Sequence, residues 1–129
     1  MRNLVLTLLL IAFSIGCEQP GPRTYPVSGT VTFDGKSVSE GDILFVPTDT
    51  SLAPDAGKIT DGKFTVRAKA GTCRVEITAL NITPDTPVVM GSPLAENYIP
   101  ERYNLESTLT AEVSADGENS YTFELRSKE

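Results

Sequence analysis

From Tyr25 onward the apolar residues recur at every second position, and this period constrains the fold more than any other feature of the chain. Val27, Gly29, Val31 and Phe33 alternate with Ser28, Thr30 and Thr32; Cys73, Val75, Ile77 and Ala79 alternate with Arg74, Glu76 and Thr78. Successive side chains of a strand point to opposite faces, so such runs bury one face and wet the other. No stretch carries the 3.6-residue period of a helix. Gly, Asp and Pro punctuate the runs at short intervals, which is the pattern of an antiparallel all-β domain.

Within that frame the strands are read in order. Val27–Phe33 ends at Asp34-Gly35, a pair suited to positive φ and hence to a tight hairpin. Asp42-Ile43-Leu44-Phe45-Val46-Pro47 has four adjacent apolar residues, which predicts a central strand covered on both faces and ended by Pro47. Residues 48–55 read as a loop before a short strand at 57–60, and Asp61-Gly62 turns the chain into the strand of Phe64 and Val66. After Ala70-Gly71 comes the clearest strand, Thr72 to Leu80. Residues 81–103, with Pro84, Pro87, Pro93 and Pro100, read as one long irregular segment, a length that is uncommon without a role of its own. Leu109, Ala111 and Val113 then face inward, and Tyr121, Phe123 and Leu125 do so after Asp116-Gly117, so the last two strands are expected to form a hairpin. The sum is an antiparallel β-sandwich of about seven strands, of immunoglobulin or transthyretin type.

The segment before this domain has a different character. Arg2 precedes a run from Leu4 to Ile15 that is apolar apart from Thr7 and Ser14 and closes on Gly16-Cys17. A basic start, about a dozen apolar residues and a small residue before the cut make a secretory signal; a spanning helix needs about twenty. Ser14-Ile15-Gly16-Cys17 resembles a lipobox, which implies cleavage before Cys17 and a diacylglyceryl group on its thiol, although Ser14 stands where Leu is usual. Residues 1–16 are thus read as a lipoprotein signal peptide, 17–24 as a Pro- and Gly-containing tether and 25–129 as the sandwich. With Cys17 lipidated, Cys73 has no disulfide partner, and its place on an apolar strand face makes it a buried, inert thiol.

The chain's net charge is −6, and loss of Arg2 with the signal makes the remainder one unit more acidic. The Lys and Arg residues are scattered among carboxylates, which speaks against nucleic acid as a partner. Histidine is absent, and with it the Ser-His and Cys-His nucleophile pairs, His-ligated zinc and the commonest general base. Glu112 and Glu124 fall on outward faces, and Asp34, Asp61 and Asp116 fall in turns. Asp49, Asp55 and Asp85 lack the spaced oxygen ligands of a calcium loop. Asn81-Ile82-Thr83 fits the glycosylation triplet but carries little weight in a chain of bacterial type. No catalytic residue, metal ligand or cofactor is therefore assigned.

Val27-Ser28-Gly29-Thr30-Val31, followed by Gly41 to Pro47 and by Gly62-Lys63-Phe64 with Ala70-Gly71, resembles the carboxypeptidase regulatory-like domain as found in small planctomycete-type bacterial lipoproteins. The tail Tyr98-Ile99-Pro100-Glu101-Arg102-Tyr103-Asn104 before Ser107-Thr108-Leu109 extends the likeness over nearly all of the domain. The resemblance implies a transthyretin-like (prealbumin-type) sandwich serving as an accessory module. In the long segment Tyr98, Arg102 and Tyr103 join two aromatics and a cation, residue types that dominate binding hot spots and that equally serve to pack a loop on a small domain. The reading that follows is a non-catalytic module of the cell envelope, held to a membrane by lipid on Cys17. Its expected partner is an envelope protein or polysaccharide. A structural spacer and a carboxylate-dependent hydrolase are the alternatives.

Overall fold

The computed structural model describes residue 16 and residues 21–128; Cys17 and residues 1–15, on which the signal-peptide and lipidation readings fall, lie outside the described residues. The chain is all-β, an antiparallel sandwich made by one curled sheet. Its strands are β1 (Thr24–Phe33), β2 (Lys36–Ser37), β3 (Glu40–Pro47), β4 (Asp55–Thr60), β5 (Lys63–Lys69), β6 (Gly71–Thr78), β7 (Val88–Val89), β8 (Ser92–Pro93), β9 (Thr110–Val113) and β10 (Asn119–Leu125). The main sheet runs β10-β1-β5-β4-β3-β6-β9 with β2 beside the end of β1, and β7 pairs with β8 alone.

The sheet curls until its two outer strands meet. Tyr121 on β10 donates its hydroxyl to the Glu112 carbonyl on β9, and the Ser114 amide donates to Asn119 Oδ1 at 2.8 Å. Inside, the alternating residues named above form one core: Val27, Val31, Ile43, Phe45, Ile59, Val75 and Ile77 have no exposed surface. Each such side chain contributes about 1.5–3 kcal/mol through burial. Phe64 ties the layers together, its ring centroid 6.1 Å from Phe45 on one side and 6.1 Å from Phe123 on the other.

Two of the three Asp-Gly pairs form the expected tight turns, with Asp34 and Gly35 at φ 50° and 79° and Asp61 and Gly62 at 51° and 75°, the positive pair of a type I′ hairpin; Asp116-Gly117 does not take positive φ. β3 is central, flanked by β4 and β6, but its cover is one-sided: Ile43 and Phe45 are buried while Leu44 and Val46 are half-exposed. Asp55, read as a loop residue, begins β4, where its carboxylate holds Lys69 Nζ at 2.8 Å and the Lys69 amide at 3.0 Å.

The expected hairpin of the last two strands does not form. β9 pairs antiparallel with β6, and β10 lies parallel to β1, Val27 opposite Asn119 through Phe33 opposite Leu125. Residues 114–118 cross between the layers instead of turning within one. The crossing is fastened by Asn119, whose side chain accepts from the Ser114 amide and donates to the Ser114 carbonyl at 2.9 Å. The segment 81–103 also departs from its reading: Val88-Val89 and Ser92-Pro93 pair as a small hairpin, and Glu101–Tyr103 form a 3-10 turn.

Candidate functional site

The strand directions give the domain two poles. Thr24 opens β1 opposite Lys69, so the chain enters the sheet at the pole that also holds residues 48–54 and 114–118. Phe33, Thr60, Thr78 and Leu125 end at the other pole, and there the excursion from Leu80 to Leu109 leaves and re-enters the sheet. Leu80 bridges Asn97, the Asn81 amide donates to the Glu96 carbonyl at 3.1 Å, and the Tyr98 amide donates to the Ala79 carbonyl at 3.0 Å. Ile99 is buried against the core.

A polar residue fixes the return path. Asn104 is 6% exposed; its Nδ2 donates to the Ile99 and Pro100 carbonyls at 3.1 and 3.0 Å, and its Oδ1 accepts from the Leu105 amide at 3.0 Å. Ser107 Oγ donates to the Val75 carbonyl at 2.5 Å, and the Val75 amide donates to the Leu109 carbonyl at 2.8 Å. No periodicity marks Asn104 or Ser107, which enter the sequence reading only within the tail of the family likeness and without a role; an Asn that closes a turn after Pro-Glu-Arg-Tyr is their local signal.

The three residues singled out from sequence, Tyr98, Arg102 and Tyr103, stand at this pole, and each is engaged within the chain. The Tyr98 ring meets Phe33 edge-on with centroids 5.5 Å apart, and burial pushes its phenol above the ordinary tyrosine value. Arg102 lies over the Tyr103 ring, 4.7 Å from its centroid, and donates to the Arg126 carbonyl. Tyr103 Oη accepts from the Arg126 amide at 3.1 Å. Burial raises the Tyr103 phenol, but its interactions with Arg102 and the Arg126 amide outweigh that and leave it below the usual value. The neighbouring Asp34 carboxyl accepts from the Ser127 amide at 2.9 Å and is held below the ordinary range by that bond, aided by the charges of Arg126 and Arg102. The trio was legible by residue type, whereas Asp34 and Arg126, which tie it to the tail, were not read as its partners.

Two recesses open nearby. One, of about 410 Å³, lies between Asp34, Gly35, Glu124 and Arg126. The other, of about 350 Å³, lies on the outer face of the sheet over Leu44 and Ala56 and is walled by Thr78, Asn97 and Leu105. Among the described residues no three His, Cys, Asp or Glu side chains converge as metal ligands would. Asp49 caps its own turn through the Ser51 amide and hydroxyl, and Glu112 accepts from Thr72 Oγ1 at 2.8 Å.

Cys73 is 1% exposed, and burial pushes its thiol above the usual value, which disfavours the reactive thiolate. At pH 8 a disulfide reagent is therefore expected to label the folded chain at least about 100-fold more slowly than the unfolded one, since the thiol is reached only through opening of the β6 region. Equal rates would place Cys73 on an accessible face.

No family model matches the chain, and no curated protein does. Among solved structures it is similar to part of a 9R-lipoxygenase from Cyanothece PCC8801, at 12% identity and a TM-score of 0.42, over 81% of this chain and 16% of that one. The chain spans only that small part of the lipoxygenase. Nothing of the enzyme's activity carries over at such a likeness.

Proposed function

We propose that the chain is a lipid-anchored, extracytoplasmic binding or accessory module of the cell envelope, without catalysis of its own. The observation that carries the reading is how soon after Cys17 the fold begins. β1 begins at Thr24, so only residues 18–23 separate it from Cys17, and a fully extended segment of that length reaches about 20 Å. A sandwich that starts so soon after a lipobox-like Cys suits a domain carried close to a bilayer. The finer family reading, a carboxypeptidase regulatory-like sandwich of transthyretin type, draws on the turns at Gly62-Lys63-Phe64 and Ala70-Gly71 and on the inward residues of β1 and β3. The absence of histidine from the sequence weighs against the common hydrolytic chemistries.

Anchoring has a direct chemical test. Cys17→Ala is expected to move the chain from the membrane to the soluble fraction. Chain extracted from its native membrane and unfolded is expected to titrate one thiol, Cys73, because the sulfur of Cys17 is committed to a thioether. Two thiols, or a wild-type chain that takes up no labelled fatty acid, would overturn the reading.

A further inference from the structure

Every large apolar residue that stands exposed among the described residues lies in the excursion between β6 and β9: Leu80, Ile82, Val88, Val89, Met90, Leu94, Tyr98 and Leu105. Met90 forms its tip and is 100% exposed. Its backbone makes the concentration more telling. Met90 and Gly91 sit at φ 52° and 83°, almost the values of Asp34-Gly35 and Asp61-Gly62. In those two turns the position of positive φ holds Asp, whose short polar side chain tolerates it; here it holds a long apolar side chain that does not favour it. A backbone outlier that presents an apolar group to solvent is where binding is to be sought.

Charge and geometry select the occupant. Residues 80–106 carry Asp85, Glu96, Glu101 and Glu106 against Arg102 alone; all four acids are exposed, and the Arg102 guanidinium is bonded to the Arg126 carbonyl. An apolar tip carried on a net-acidic excursion is repelled by anionic headgroups. The excursion also leaves the sheet at the pole opposite the tether, away from the bilayer to which Cys17 would hold the domain. We infer that the Val88-Val89-Met90 hairpin docks into an apolar hollow, rimmed by Lys and Arg, on another protein of the envelope. This deepens the proposed function and rests on it for the orientation of the domain. The apolar tip supplies the contact and the carboxylates set approach and orientation. So small a contact belongs to the transient class of interfaces.

The test uses the whole chain in its own envelope. Met1 and Met90 are the only methionines, so in cells fed photo-methionine the processed chain carries the crosslinker at position 90 alone. Irradiation followed by denaturing purification is expected to give a protein-sized adduct on the peptide that holds residue 90. Val88→Asp with Leu94→Asp should lower its yield at least about tenfold. In isolated membranes about 1 M salt should lower it too, since the screening length there is about 3 Å. The partner's crosslinked peptide should place Lys or Arg beside apolar residues. Slow labelling of Cys73 in the double variant verifies that it is folded. A lipid-mass adduct overturns the inference in favour of the bilayer; a protein adduct indifferent to the substitutions, or solvent-quenched probe alone, overturns it outright. The same digest separates the two readings. An unacylated Cys17 with the adduct present sinks the anchor and leaves the docking contact, whereas an acylated Cys17 without the adduct does the reverse.

Discussion

Replacing Gly29 by Ala is expected to destabilise the domain by about 3 kcal/mol or more, the upper end of overpacking costs, and to lower Tm by more than about 10 °C. Gly29 lies opposite Tyr121 on β10 and opposite Phe64 on β5. A Cβ there would overlap the Tyr121 carbonyl oxygen and come 2.8 Å from two carbons of the Phe64 ring. Backbone cannot step aside as a flexible side chain can, and Phe64 is held between Phe45 and Phe123. The variant must loosen β10 from β1 or unseat the central ring. Gly117→Ala is the matched control, because the nearest atom to its Cβ is Ser114 Oγ at 3.6 Å; it should leave stability within about 0.5 kcal/mol. Thermal unfolding of both variants decides the matter, and a Gly29→Ala domain as stable as wild type would contradict the β1–β10 register.

The second large effect is local. Asn104→Leu keeps the bulk of the side chain but removes the two donors that serve the Ile99 and Pro100 carbonyls and the acceptor that serves the Leu105 amide. Buried polar groups left without partners cost about 1–3 kcal/mol each, so the return path of the excursion should open well before the sandwich does. Hydrogen exchange is the suitable readout. The amides of Tyr98, Asn104, Glu106 and Ser107, now bonded to Ala79, Glu101, Glu101 and Asn104, should lose protection by about 100-fold, while those of β3 and β6 hold. A uniform loss across all strands would mean that Asn104 stabilises the whole domain and not this segment.

Both predictions bear on how much of the molecule was legible beforehand. Side-chain alternation announces which face a residue takes, and it did so faithfully for Cys73, Val75, Ile77 and Ala79, all buried at 1% exposure or less. Turn chemistry was equally open at Asp34-Gly35 and Asp61-Gly62. Period two says nothing, however, about which strand lies alongside. Residues 109–113 and 121–125 have the spacing of a hairpin, yet the side chain of Asn119 takes over the bonds that a turn would make and sends β10 to the far edge. The hairpin at Met90-Gly91 was hidden for the opposite reason, since its leading residue is not one that favours positive φ and Pro87 and Pro93 flank it. At the pole beyond the sheet, Tyr98, Arg102 and Tyr103 could be noticed as types. Their contacts could not, because Arg126 lies 24 residues from Arg102 in sequence and meets it only once β10 is in place.

The parallel seating of β10 also sets a timetable for the chain. β1 is made first and receives its outer neighbour last, with Pro26 and Asn119 meeting across 93 residues. Loops of that length close slowly and only late contacts reward the closure. A chain emerging from its N-terminus therefore holds an unfinished sheet, its Tyr25-to-Phe33 edge bare and its core ring Phe64 half covered, until Asn119–Leu125 has been delivered. Completion of the domain is in effect a signal that synthesis has reached β10, and any machinery that needs the chain unfolded has the whole of that interval in which to work.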